Sequence, residues 1–98
     1  MTKKFFSFLI LSAVLAACSG HELDGNALAQ EKGCVSCHGI DGTATAASYP
    51  NLDGQWPRYL RLQLIAYRNG KRDNAIMNGF AAPLSDSEIV ALAKHYGR

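Results

Sequence analysis

Residues 34–38 read Cys-Val-Ser-Cys-His, and no other stretch constrains this chain so tightly. Two thiols three residues apart share one face of a helical turn, and an imidazole follows directly. With that spacing Cys34 and Cys37 reach the two vinyl edges of one porphyrin, and His38 lies beneath its iron. A thioredoxin-like redox pair has the same C-x-x-C spacing but needs a βαβ setting, which does not surround it here. A structural zinc site needs four Cys or His ligands, and the remaining candidates, Cys18, His21 and His95, have neither C-x-x-C nor H-x-x-x-H spacing. The pentapeptide therefore points to a single haem c, attached through Cys34 and Cys37.

The start of the chain supplies an exported setting for that chemistry. Lys3 and Lys4 precede an apolar run from Phe5 to Ala17, too short to span a bilayer but the length of a signal-peptide core. It closes on Leu15-Ala16-Ala17-Cys18, which resembles the bacterial lipobox, where cleavage falls before the cysteine and the lipid is added to it. Residues 1–17 thus read as a lipoprotein signal peptide, Cys18 as the lipidated residue and 18–23 as a tether. An ordinary secretory signal that leaves Cys18 free, and an uncut anchor, are the alternatives. Three cysteines in an exported chain would otherwise suggest a disulfide with one thiol left over. Here each has its own role, one lipid and two thioethers, and no disulfide is expected.

Without residues 1–17, eight basic and eight acidic residues remain, so the formal +2 belongs to the signal. Neither a net basic domain nor a nucleic-acid-binding motif is left, and a nucleic-acid partner loses its support. A local asymmetry survives: Arg58 to Arg72 holds five positive charges and no acid. Such a run is either a solvated helix face, which suits Arg61 and Arg68, or a source of countercharge for haem propionates or an acidic partner.

A mature domain this small has little core to offset its chain entropy, and it commonly recruits a staple. Haem serves as that staple, the centre around which short helices pack. A first helix is expected from about Asp24 to Gly33, with Asp24 as N-cap and Ala27, Leu28 and Ala29 as apolar contacts. Gly39 to Gln55 reads as a long loop able to wrap a cofactor. Pro57 suits the first position of a second helix and Gly70 its stop, with Leu60, Leu64 and Tyr67 on one face, widened by Leu62, Ile65 and Ala66. Ser85 with Glu88 makes a capping box for the last helix, and Leu84 with Ile89 occupies the staple positions around it. Ile89, Leu92, Ala93 and Tyr96 then share a face. No segment argues for a sheet, so the fold class is all-α: three main helices and loops around one covalent haem, over residues 24–98.

The opposite side of the iron needs a second ligand. Besides Met1, Met77 is the only methionine, and it falls in the loop expected from Lys71 to Pro83. A lone Met is usually core filler, but downstream of a haem-attachment motif it is the expected thioether ligand. His95, in the last helix, and His21, in the tether, compete for the position.

Taken together, these features resemble the class I cytochromes c across everything after the tether. The likeness is carried by Gly25 and Leu28, by Cys34-Val35-Ser36-Cys37-His38-Gly39 with Asp41-Gly42, by Tyr49-Pro50-Asn51-Leu52-Asp53-Gly54-Gln55, and by Met77 ahead of Ser85-Asp86. Gly54-Gln55-x-Pro57-x-Tyr59-Leu60 and Asn78-Gly79-Phe80-Ala81-Ala82 look most like single units of the bacterial diheme cytochromes of the c-four type. The resemblance implies that His38 and Met77 are the axial iron ligands. It also implies that the carbonyl of Pro50 accepts the other ring N–H of His38, and that Leu52 packs on the haem. In the family a glycine of the first helix crosses an aromatic of the last; here Gly25 is in place but His95 holds the aromatic position, with Tyr96 beside it. Trp56 and Tyr59 either reach the propionates or fill the core.

With protein ligands on both faces the iron has no open position, so the expected function is electron transfer rather than catalysis. Redox proteins of a respiratory or other electron-transfer chain would dock transiently at an exposed haem edge beside Cys34 and Cys37. A lipid on Cys18 would confine the domain to the inner or outer membrane of a bacterium, on the periplasmic side, and raise the effective concentration of membrane-bound partners. Two other readings stay open: an electron-transfer subunit of a larger oxidoreductase or oxidase, and a haem gas sensor or peroxidase.

Overall fold

The computed structural model describes residues 22–98. The signal peptide, Cys18 and His21 lie outside the described residues.

The helix with the clearest signals forms the centre of the fold. Ser85 Oγ accepts from the Glu88 N–H at 3.1 Å while Glu88 Oε1 accepts from the Ser85 N–H at 3.0 Å, so the capping box satisfies donors that a helix start otherwise leaves orphaned. Helix Asp86–Tyr96 follows, burying Ile89, Ala91, Leu92, Ala93 and Tyr96. Leu84, the staple residue before the cap, is buried in the same cluster. Asp24 caps Gly25–Glu31 as expected, accepting from the N–H groups of Asn26 and Ala27. Leu28 and Ala29 of that helix are buried, whereas Ala27 is exposed.

Five helices run in order: α1 (Gly25–Glu31), α2 (Val35–His38), α3 (Pro57–Arg68), α4 (Ala75–Ala81) and α5 (Asp86–Tyr96). No strand occurs among the described residues. Helix α5 packs against both α1 and α3, and α4 packs on α3. The α1–α5 crossing depends on Gly25: a Cβ there would run into the Ala91 carbonyl and lie 2.6 Å from His95 Cβ. Close approach of two backbones needs no ring opposite the glycine, so His95 can stand where an aromatic residue is usual.

Three expectations need correcting. Met77 does not lie in a loop: the segment between the last two long helices contains α4, capped by Asn74, whose Oδ1 accepts from the Met77 N–H at 3.0 Å. A seven-residue helix that contains Asn78 and Gly79 offers little periodicity, and its stability comes from packing on α3. Trp56 and Leu62 do not fill the core, being 75% and 46% exposed. Leu62 is two residues from both Leu60 and Leu64, which places it on the far side of α3, facing outward. Arg68 is not simply solvated either, since its Nη1 donates to the Leu84 carbonyl and to Asp86 Oδ1 at 2.7 Å, strapping α3 to the start of α5.

Candidate functional site: two cavities around His38 and Met77

Helix α2 is one turn long and carries the motif. The Cys37 and His38 N–H groups both return to the Cys34 carbonyl, and Cys34 and Cys37 stand at i and i+3. Both thiols are half-buried, and burial pushes the Cys34 thiol above its ordinary pKa. Gly39 ends the turn at φ 76°, a left-handed conformation that suits glycine.

His38 is the buried polar side chain of this region, at 8% exposure. Its Nδ1 lies 2.9 Å from the Pro50 carbonyl oxygen. A carbonyl only accepts, so Nδ1 must carry the proton, and in the neutral ring Nε2 keeps its lone pair for a metal. Pro50 reaches this position because the 39–55 loop folds back over α2. Thr45 N–H donates to the Cys37 carbonyl at 3.0 Å, Thr45 Oγ1 to the Ser36 carbonyl at 2.8 Å, and Leu52 N–H to the Gly42 carbonyl at 2.8 Å. Helix α5 fixes the residues just after the imidazole. Tyr96 OH donates to the Gly39 carbonyl at 2.9 Å, and the ring Nε2–H of His95 donates to the Ile40 carbonyl at 2.7 Å. Burial pushes the Tyr96 phenol up to about 12, so it stays a donor across the physiological range.

Two adjoining cavities of about 240 and 210 Å³ meet here, and Cys34, His38, Pro50, Tyr67 and Met77 line both. Leu52 lines the first and Cys37 the second. Tyr59 lines the first cavity, whereas Trp56 lines neither. The sequence-predicted residues Cys34, Cys37, His38, Pro50, Leu52 and Met77 are therefore gathered around one space, and His95 is engaged elsewhere.

The side chain that keeps Met77 in place was not singled out from the sequence. Asn78 donates through Nδ2 to the Tyr67 carbonyl at 2.8 Å and the Arg72 carbonyl at 2.9 Å, while its Oδ1 accepts from the Asn74 N–H at 2.9 Å. One amide thus clamps the end of α3 to the cap of α4. Its partners are backbone groups, which leave no mark on the sequence.

The donor set suits a haem rather than a hydrolytic metal. It offers an imidazole with a free nitrogen, a thioether, two thiols at attachment spacing and largely apolar walls. Among the described residues there is no group of three or more His, Cys, Asp or Glu placed to hold a metal ion.

Comparison with known proteins agrees. The family model for cytochrome c matches residues 23–95. The chain is 44% identical over 66 residues to the thiosulfate dehydrogenase electron acceptor of Thiomonas intermedia, covering 66% of this chain and 30% of that protein. It is 46% identical over 66 residues to cytochrome c-554(548) of Halomonas halodenitrificans, covering 64% of this chain and 80% of that protein. A solved cytochrome c4 from Acidithiobacillus ferrooxidans superposes with a TM-score of 0.67 at 30% identity, over 74% of this chain and 45% of that one. The chain thus spans less than half the length of two of these three relatives. A matched family model over nearly all the described residues, and the shared helical architecture, place this chain in the cytochrome c family, as a class I member of the c4 type.

Proposed function

We propose that this chain carries single electrons between redox proteins, with one haem c bound through Cys34 and Cys37 and ligated by His38 and Met77. The observation that carries the reading is an imidazole whose Nδ1 proton is committed to Pro50, lining the same space as a thioether. When bound, the haem would supply reversible one-electron Fe(III)/Fe(II) chemistry between a reduced and an oxidised partner.

The chain's own residues fit that task. Pro50 orients the His38 ring and makes it a better donor, and a thioether from Met77 favours the reduced state relative to a second imidazole or a thiolate. Leu52, Leu60, Leu64 and Leu92 wall the first cavity and exclude water, which disfavours the extra positive charge of the oxidised state. With His38 and Met77 both holding the iron, oxygen and peroxide would find no open site, so the chain is read as a carrier and not as an enzyme. Exposed Ile76 and Phe80 line the second cavity beside Cys37 and offer an apolar patch for transient docking.

One relative is named for accepting electrons from thiosulfate dehydrogenase, and a dehydrogenase of that general kind is the donor class we favour for this chain. A lipid on Cys18 would hold the domain at the periplasmic face of a bacterial membrane. Stable co-extraction with a larger oxidoreductase in mild detergent would instead make it a bound subunit. Absorption spectra of the purified protein, oxidised and reduced, test the core of the reading. A covalent haem whose reduced form resists carbon monoxide supports it, and rapid carbon monoxide binding would favour a sensor.

A further inference from the structure

One stretch of surface sets exposed apolar side chains beside cations that have no carboxylate partner. Trp56 is 75% exposed at the start of α3, and Tyr59 and Leu62, further along the helix, are 45% and 46% exposed. Arg58 and Arg61 are exposed among them. Arg58 stands at i to the i+3 of Arg61 and the i+4 of Leu62, and Tyr59 at i to the i+3 of Leu62, so these four share the outward side of the helix. Leu60, between them in sequence, turns into the core. Among the described residues, Lys32, Arg68, Lys94 and Arg98 each form an ion pair with a carboxylate, and Arg58 and Arg61 do not. No acidic residue occurs between Asp53, already paired with Arg98, and Asp73 beyond the far end of α3.

The patch begins at the end of the molecule from which the tether leaves. Lys94 Nζ pairs with Glu22 Oε1 at 2.7 Å, and four residues on, the Arg98 N–H donates to the Gln55 carbonyl at 2.8 Å. The first described residue and the residue before Trp56 are thus joined to the same C-terminal end of α5. Cys18 precedes Glu22 by four residues, and four residues reach at most about 14 Å. With a lipid on Cys18, the domain is therefore held close against the bilayer by this end. Trp and Tyr rings settle at headgroup level, and a guanidinium fork takes phosphate oxygens in two-point contact. We propose that the outward face of α3 from Trp56 to Leu62 is a contact surface for anionic phospholipid, which gives the tethered domain one orientation on the membrane. The inference rests on the reading of Cys18 as the lipid anchor, not on what fills the cavities. Two cations and three apolar side chains bind a membrane only weakly alone, and the tether makes the contact sufficient by raising the local concentration of lipid. In that orientation exposed Ile76 and Phe80, on α4, stay open to redox partners.

The test uses the lipid-bearing holoprotein in vesicles of phosphatidylethanolamine with phosphatidylglycerol, in native membranes and in neutral detergent. Hydroxyl-radical labelling read by mass spectrometry reports the exposure of each side chain, and the mass of the N-terminal peptide reports the lipid on Cys18. Trp56 and Tyr59 should be labelled several-fold less on the anionic vesicles than in detergent, while Ile76 and Phe80 are labelled equally in both. Arg58→Glu combined with Arg61→Glu should remove most of that protection at an unchanged visible spectrum and urea midpoint, and the corresponding pair of lysine substitutions should retain most of it. Equal labelling of Trp56 on vesicles and in detergent, with the lipid present, would overturn the proposal. Protection found in native membranes but not on pure lipid would overturn it too, by assigning the face to an acidic protein. Protection of Phe80 in place of Trp56 would overturn it by turning the domain the other way. A mature protein without lipid on Cys18 would defeat the anchoring reading, and this inference with it.

Discussion

The α1–α5 side of this molecule and the α3–α4 side are held together by different physics. Where α1 crosses α5, contact is direct: Ala29 and Ile89 are fully buried, Leu92 and Ala93 nearly so, and Gly25 lets the two backbones approach. Around the cavities packing is less complete, though Leu52, Leu64 and Tyr67 still lie against the buried cluster. Leu52, Leu64, Tyr67 and Met77 are only partly buried, and their positions come from hydrogen bonds to backbone carbonyls and N–H groups made by Asn78, Tyr96, Thr45 and His38. One half is a conventional apolar core, and the other is a frame around a space. Side chains complete the first; a cofactor completes the second.

Disturbing the two halves separately should therefore give separable results. The largest effect is expected on the cavity side from replacing both Cys34 and Cys37 with serine. No colour should then remain on the polypeptide after acidified organic extraction, and retained colour would refute covalent attachment at these thiols. On the core side, Ile89→Ala removes a fully buried side chain and should cost about 2–5 kcal/mol in urea unfolding. Its visible spectrum should be unchanged. If instead Ile89→Ala altered the spectrum as much as the stability, the two halves would not be independent.

Asn78→Leu probes the frame at a single amide. Leaving partner groups unsatisfied should cost about 1–3 kcal/mol, and the ferric sulfur-to-iron band should weaken as Met77 loses its fixed position. Loss of stability with a normal band would confine Asn78 to packing.

The contrast between the halves also explains what the sequence could reveal. Asp24, the Ser85–Glu88 box, the Leu84–Ile89 staple, Pro57 and Gly70 are local signals, decided by a few neighbouring residues, and the elements they mark appear where expected. Helix α4 has no comparable signature, because Asn74 is one polar residue among several and the amide of Asn78 bonds to carbonyls of Tyr67 and Arg72 that are distant or featureless in sequence. The same holds for Tyr96 and His95, which reach the carbonyls of Gly39 and Ile40 across more than fifty positions. Spacing made the thiols and the imidazole of the motif legible, whereas the approach of Pro50 to His38 followed only from resemblance to a family. His95 looked like a departure from the pattern until the geometry showed that Gly25 needs only its Cβ, which leaves the imidazole free to bond.

The smallest expected effect lies at the start of α5. Backbone hydrogen bonding from Ser85 leads the causes that hold the Glu88 carboxyl below its ordinary 4.5, with Lys32 assisting. A depressed carboxyl stabilises the fold at pH above its unfolded value, and the contribution is lost as pH falls through the lower folded one. The stability difference between wild type and Glu88→Gln should thus be present at neutral pH and fade below 4.5. Ser85→Ala should cost about 1 kcal/mol. A difference that grew on acidification would mean that Glu88 does not act as the box's acceptor.

The central claim concerns two donors meeting in one space, and the most direct measurement is the ferric absorption spectrum of wild type beside Met77→Ala, with the midpoint potential of each. The account predicts a weak sulfur-to-iron band in the wild type that disappears in the variant, together with a lower midpoint and newly permitted carbon monoxide binding. An identical spectrum and midpoint in the two proteins would contradict it, because Met77 would then be part of the wall and not a ligand.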